Sequence, residues 1–326
     1  MDFKFSPRKN LKAAAVLIIS FVFIDSSGQQ TPTYPVYHRI VTPFIFNPAI
    51  AGSKDFSSVD ITAGWEGKSH SQILSINSRL AKKGQGYFSS PVVKEFTNFG
   101  IGCSVFNEYD VSMQNTGISA VCSYQIPLDK KTLSFLSFGA AVKGVYNFMD
   151  SVSSADPGLS KPSIKTYYPN VDAGIYYYGP NLFAGISATN ILGNPGDPDT
   201  LGIYRIQVSR QYFFVAGYKF LLSRALNIVV EPSIIINADE SSGQKVTDLL
   251  EPVLKIYLQD FCLGTYLNDY DNFSFFFQFK YPRFYVGSFV EIPKNSSYYK
   301  KDLNIEVAIG INLSQIKSKH LKNYHW

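Results

Sequence analysis

The chain has 326 residues, of which 17% are charged and 15% aromatic, with 22 Tyr and 26 Phe against 2 Trp. A soluble globular domain usually carries about 25% charge, so the composition points toward segments that alternate between lipid and water. The net charge of +5 falls to about +3 once a leader holding Lys4, Arg8, Lys9 and Lys12 beside Asp2 and Asp25 is removed, too little to argue for a nucleic-acid partner.

The chain opens on a basic stretch, followed by the apolar run Ala13 to Ile24 and the small residues Ser26-Ser27-Gly28. This is the secretory signal pattern, with a hydrophobic run too short to span a bilayer comfortably. Residues 1–28 are therefore read as a cleaved signal peptide rather than an anchor helix, and 29–56 as an N-terminal periplasmic or lumenal segment. No other window approaches the ~20 apolar residues of a membrane helix, so a membrane location requires a closed barrel of strands.

From residue 57 the pattern has period two. Val59, Ile61, Ala63 and Trp65 oppose Ser58, Asp60, Thr62 and Glu66. Strands are expected at 57–66, 70–80, 97–107, 114–126, 132–147, 170–179, 181–189, 210–221 and 225–237. They continue at 247–259, where Leu250, Leu254, Ile256 and Leu258 oppose Glu251, Lys255 and Gln259, and at 261–269. In 272–280, Phe273, Phe275, Phe277 and Phe279 oppose Ser274, Gln278 and Lys280; a further strand is expected at 282–291. The last, 302–314, sets Leu303, Ile305, Val307, Ile309, Ile311 and Leu313 against Asn304, Glu306, Ala308, Gly310, Asn312 and Ser314. Charges fall on the polar face, as a barrel requires, because a charge turned to lipid costs up to ~2–4 kcal/mol at mid-membrane. The expected fold is all-β: an antiparallel transmembrane barrel of about fourteen strands over 57–314, with a basic tail at 315–326. Glu251, Lys255, Lys280 and Glu306 are expected in the lumen, as are Asp172 and Glu231.

Connections after every second strand are short: Pro127–Lys131, Gly179-Pro180-Asn181, Leu222–Arg224, Asp260 and Tyr281-Pro282. Those between are longer: Met149–Pro169, Asn190–Ser209, Ala238–Val246 and Pro293–Lys301. Such asymmetry separates periplasmic turns from extracellular loops. Ala81–Phe96 is long and Tyr270-Asp271 short against this rule, so either the strand count errs early or Ala81–Phe96 is a functional periplasmic loop. Tyr167-Tyr168, Tyr176–Tyr178, Tyr266, Tyr270 and Tyr298-Tyr299 near strand ends suit interfacial girdles. A secreted β-sandwich is the competing fold, but it ordinarily uses about 100 residues.

No catalytic or cofactor-binding constellation is visible, and an enzyme is not expected. His320 and His325 lie in the basic tail without thiol or carboxylate company, so no metal is assigned. Asn194-Pro195-Gly196-Asp197-Pro198-Asp199 reads as an ordinary turn, since its spacing departs from a twelve-residue calcium loop. Cys103, Cys122 and Cys262 imply no disulfide framework.

Phe46-Asn47-Pro48-Ala49-Ile50-Ala51-Gly52, then Phe99-Gly100-Ile101-Gly102-Cys103-Ser104-Val105-Phe106-Asn107, Asn115-Thr116-Gly117 and Tyr124–Leu128 occur in sequence. Asp172–Tyr178, Phe183–Ser187, Tyr212–Tyr218 and Glu231-Pro232-Ser233 follow. In order and spacing this resembles the PorP/SprF family of outer-membrane proteins, linked to type IX secretion and gliding in Bacteroidetes. Departures are Gly64 before Trp65 where the family tends to Gln-Trp, and the extension Gln315–Trp326 beyond the last strand. The resemblance implies an outer-membrane component that helps export or anchor a secreted surface protein such as an adhesin. Its implied partners are that protein, periplasmic secretion components and membrane lipid. Asn47, Pro48, Ala49, Ala51, Gly52, Gly100, Gly102, Phe106 and Asn107 carry the motif as structural or partner-facing residues. The glycines are explained by close strand packing or bulges. A general porin or channel and a secreted adhesion sandwich are the alternatives.

Overall fold

Apolar side chains on every second residue can be satisfied in lipid only if each strand finds a backbone partner on both edges. The computed structural model achieves this by closing one sheet upon itself. It describes residues 40, 42–54, 57–81, 96–110, 113–129, 133–149, 164–193, 210–240, 249–268, 272–280, 284–293 and 304–313.

The strands are β1 (Ser57–Glu66), β2 (Ser69–Ala81), β3 (Phe96–Asp110), β4 (Met113–Asp129), β5 (Ser134–Met149), β6 (Ile164–Tyr178), β7 (Leu182–Thr189) and β8 (Gln211–Tyr218). They continue as β9 (Phe220–Ser223), β10 (Ile228–Asp239), β11 (Leu250–Leu258), β12 (Phe261–Asn268), β13 (Asn272–Lys280), β14 (Phe284–Pro293) and β15 (Asn304–Leu313). Pairing is antiparallel throughout, and β15 closes on β1 in unbroken register from Ser57↔Leu313 to Glu66↔Asn304. β8 and β9 both pair with β10 and form one stave broken at Lys219, whose backbone N–H donates to Asn181 O at 2.7 Å. The wall is thus a closed barrel of 14 staves, as the sequence pattern predicts, and the sandwich is excluded.

Side-chain direction follows the alternation. Ile61, Val142 and Ile309 are 58%, 61% and 53% exposed on the outer face, while Asp60 and Glu306 are 2% and 1% exposed within. One rim carries the short connections 130–133, 179–181, 224–227, 259–260 and 281–283. The other carries 150–163, 190–210, 240–249 and 294–303. Because the count of staves holds, 82–95 is a long connection on the short-turn rim and 269–271 a short one on the long-loop rim.

Two expectations change. β6 begins at Ile164, so Ile164–Pro169 belongs to the wall rather than to a loop; its partners are Gly144–Met149 of β5. Tyr266 is fully buried in the lumen, and Tyr176 and Tyr178 also turn inward, so these rings are not girdle residues. All three cysteines are free thiols, in keeping with the absence of a disulfide framework: Cys262 is buried in the lumen, and Cys103 and Cys122 lie on the adjacent staves β3 and β4. The signal segment, the loop 194–199, both tail histidines, Tyr270 and Tyr298-Tyr299 lie outside the described residues.

The staves differ in height. β3 to β6 have 15, 17, 16 and 15 residues, whereas β7, β8 and β12 have 8. On the tall side the outer apolar belt ends at a polar tie. Gln114 Nε2 and Thr116 Oγ1 donate to Asn107 Oδ1 at 2.9 and 2.8 Å, and Asn107 Nδ2 donates to Gln72 Oε1 at 3.4 Å. The motif residue Asn107 therefore faces outward, marking where the wall leaves the bilayer.

Candidate functional site: a plug in the lumen

The segment before β1 lies inside the barrel. It makes two single-turn 3-10 helices, η1 (Pro43–Ile45) and η2 (Pro48–Ile50), each with proline in its first turn, where a fixed φ and a missing N–H cost nothing. Asn47 is the N-cap of η2: its Oδ1 accepts from Ala49 N at 3.0 Å. Turns this short are not stable alone; the wall holds them.

Seven further hydrogen bonds do so. Asn47 Nδ2 donates to Ile175 O (3.2 Å) and Ile186 O (3.4 Å), bridging β6 and β7. Ser187 Oγ donates to Phe46 O (2.7 Å), and Ser137 Oγ to Ala49 O (2.6 Å). Ala51 O accepts from both Ser123 Oγ (2.6 Å) and Gln125 Nε2 (3.1 Å). Gly52 N donates to Asn77 Oδ1 at 2.8 Å. Pro48, Ala49 and Ala51 are buried, so burial removes these backbone groups from water and the wall side chains replace it.

Two wall glycines allow the approach. A Cβ at Gly139 would stand 2.2 Å from Ala49 N, and one at Gly100 would stand 2.3 Å from Ala51 O. Close packing of strands is thus not their reason, as the sequence suggested; backbone of the plug occupies the space a side chain would need. Gly102 sits under the Phe44 ring, and Gly52 turns the chain out of the plug with φ +67°. Phe106 points inward, its ring across Gly117.

The two halves of the lumen differ in chemistry. The β2–β7 half offers the polar cradle. The β10–β15 half presents Val253, Tyr257, Tyr266, Phe276 and Phe289, packed against Ile40 from the N-terminal segment. The N-terminal segment therefore touches both sides of the lumen. Phe46 also meets Phe213 of β8, ring centroids 4.9 Å apart.

Charges are paired along the inner wall. Glu231 is central: Lys255 Nζ lies 3.0 Å from Oε1, Lys219 Nζ 3.7 Å from Oε2, and Tyr257 OH donates to Oε2 at 3.1 Å. Lys143 Nζ meets Asp172 Oδ1 at 2.9 Å. Tyr285 OH donates to Asp60 Oδ1. Glu251 and Glu306 are buried inward, and Lys280 is half-buried at the last position of β13. Enclosure at the end of the plug pushes the Lys54 ammonium below its ordinary range, against the pull of Asp60. Among the described residues there is no group of three or more potential metal ligands.

Asn77, Ser123, Gln125, Ser137 and Ser187 escaped sequence reasoning. One signal was available: glycine or a small hydroxyl on the polar face of several staves, where a water-filled lumen makes no such demand.

By fold the chain is similar to the outer membrane protein Omp33 of Acinetobacter baumannii (TM-score 0.42, 9% identity, 80% of this chain and 100% of that one). It is also similar to BamA of Haemophilus ducreyi lacking POTRA domains 1–3 (0.39, 10%, 80% and 71%) and to KdgM porin (0.37, 11%, 78% and 98%). No curated protein matches the chain by sequence. The family model described as type IX secretion system membrane protein PorP/SprF matches residues 26–311, plug and barrel together, and the chain therefore belongs to that family of outer-membrane proteins.

Proposed function

We propose that this barrel serves type IX secretion and gliding as a plugged, non-catalytic platform that helps export or anchor a secreted surface protein, such as an adhesin. The long-loop rim faces outward and engages that protein. The short-turn rim, with the long connection 82–95, faces periplasmic components of the machinery. The observation that carries this reading is the occupied lumen: a general porin needs an aqueous path, whereas here hydrogen bonds from β2 and β4–β7 bind a segment of the same chain. Family membership supports the secretion context.

The test is to shorten 150–163, 194–209 and 294–303 in the native host and follow surface display of secreted proteins. Loss of display with a normally heat-modifiable barrel is expected. Unchanged display would remove the long-loop rim from the function. The porin reading makes the opposite demand, steady conductance from the wild-type protein in planar bilayers.

A further inference from the structure

On the long-loop side of the plug the tall staves enclose a vestibule. Its floor includes Ile45 and Phe46, and its wall includes Glu108 of β3, Asn115 of β4, Lys143 of β5 and Asp172 of β6. The outward neighbour of Glu108 is Asn107, so this carboxyl sits level with the edge of the apolar belt rather than at mid-membrane.

The charges do not balance. Lys143 is committed to Asp172, whose Oδ1 also accepts Asn190 N at 2.8 Å. That leaves Glu108, whose Oε1 is buried without a hydrogen-bond partner among the described residues. Two staves away at the same rung, Asn147 donates through Nδ2 to Asn115 Oδ1, while its own Oδ1 is buried and also lacks a donor. A buried acceptor without a donor costs about 1–3 kcal/mol, and more when charged. Among the described residues the vestibule therefore holds one carboxyl without a counter-ion and two acceptors in want of donors, above an apolar floor.

That combination selects a ligand class. Calcium takes about six to eight oxygen ligands and zinc prefers thiolate and imidazole, and one carboxylate with two amides suits neither. A guanidinium or ammonium supplies one positive charge and several N–H donors, and a methylene stem matches the Ile45 and Phe46 floor. We propose that the vestibule binds a single cationic group on an alkyl stem, with Glu108 as its counter-ion. Such a group is carried by an arginine or lysine side chain of a polypeptide, or by a free alkylamine.

The full-length protein in detergent micelles tests this by ligand-observed NMR. The probes are Nα-acetyl-arginine amide and its neutral isostere Nα-acetyl-citrulline amide. Saturable binding of the arginine probe, about ten-fold or more tighter than citrulline, is expected. Glu108→Gln should abolish that preference, while Glu108→Asp should keep the preference and weaken binding. Equal binding of the two probes by the wild type, binding of neither, or a preference that survives in Glu108→Gln would overturn the proposal. The wild-type comparison decides the matter even if Glu108→Gln fails to insert. A decapeptide with one central arginine separates the sources: tighter binding than the amide assigns a polypeptide, and equal binding a free amine.

Discussion

Ser137 Oγ donates to the carbonyl of Ala49 at 2.6 Å, across 88 positions of sequence. Ser137 stands on the inner face of β5 two residues before Gly139, so one stave both clears space for the plug and holds it. The two functions can be separated by mutation.

Adding one methyl at Gly139 forces the plug backbone to move, because Ala49 N, Pro48 C and Ala49 Cα would all lie within 2.5 Å of the new Cβ. Overpacking of this kind typically costs about 1–3 kcal/mol. Gly139→Ala should still give a heat-modifiable barrel but show conductance steps absent from the wild type in planar bilayers. A silent variant would mean that the plug tolerates displacement without opening a path.

Asn47→Ala removes the η2 cap, worth about 0.5–2 kcal/mol, and two donated hydrogen bonds at about 0.5–1.5 kcal/mol each. A loss of roughly 1.5–5 kcal/mol in urea unfolding from micelles is expected by adding these terms, with protease cleavage of the freed segment.

Glu231→Ala leaves Lys255 and Lys219 facing one another in the lumen. Breaking a buried pair by removing one partner costs roughly 3–5 kcal/mol; Lys255 keeps 15% of its side chain exposed, which places the effect near the lower end. Replacing Glu231 by Leu and Lys255 by Met together should recover most of the loss. A double-mutant cycle measures the coupling.

Lys54 carries the pH dependence of the plug. Its ammonium is held below the ordinary 10.5 chiefly by burial, so just below pH 10.5 the unfolded chain binds more protons than the folded one. Stability attributable to this residue must then rise with pH through that window. Urea midpoints of wild type and Lys54→Met, compared between pH 8 and 10.5, should converge as the pH rises.

The wall was legible wherever one face is apolar and the other polar. β15 alternates without a fault from Asn304 to Leu313, and its burial alternates in step. Alternation fails where the lumen itself is apolar: Phe275, Phe276 and Phe277 run together because Phe276 packs inside against Phe289 and its neighbours while the other two face lipid. The start of β6 was hidden because Pro169 reads as a breaker, yet Pro169 pairs with Gly144 on the stretch of β6 that runs past the last β7 pair, Ala173↔Ala188, and a proline is tolerated at such an edge. The plug was least legible. Asn47-Pro48 announces a turn, but its place depends on hydroxyls and amides up to 141 residues away, and local pattern holds no record of them.

Seven hydrogen bonds tie the plug to β2 and β4–β7, the earlier half of the wall in chain order. A curved, still open sheet of β2–β7 thus already contains the groups that make these seven bonds. The plug precedes all of it in the chain and has no need to thread a finished cylinder. The later staves, with their apolar inner face against Ile40, would then close over an occupied mould, making the N-terminal segment a template for closure as well as a stopper.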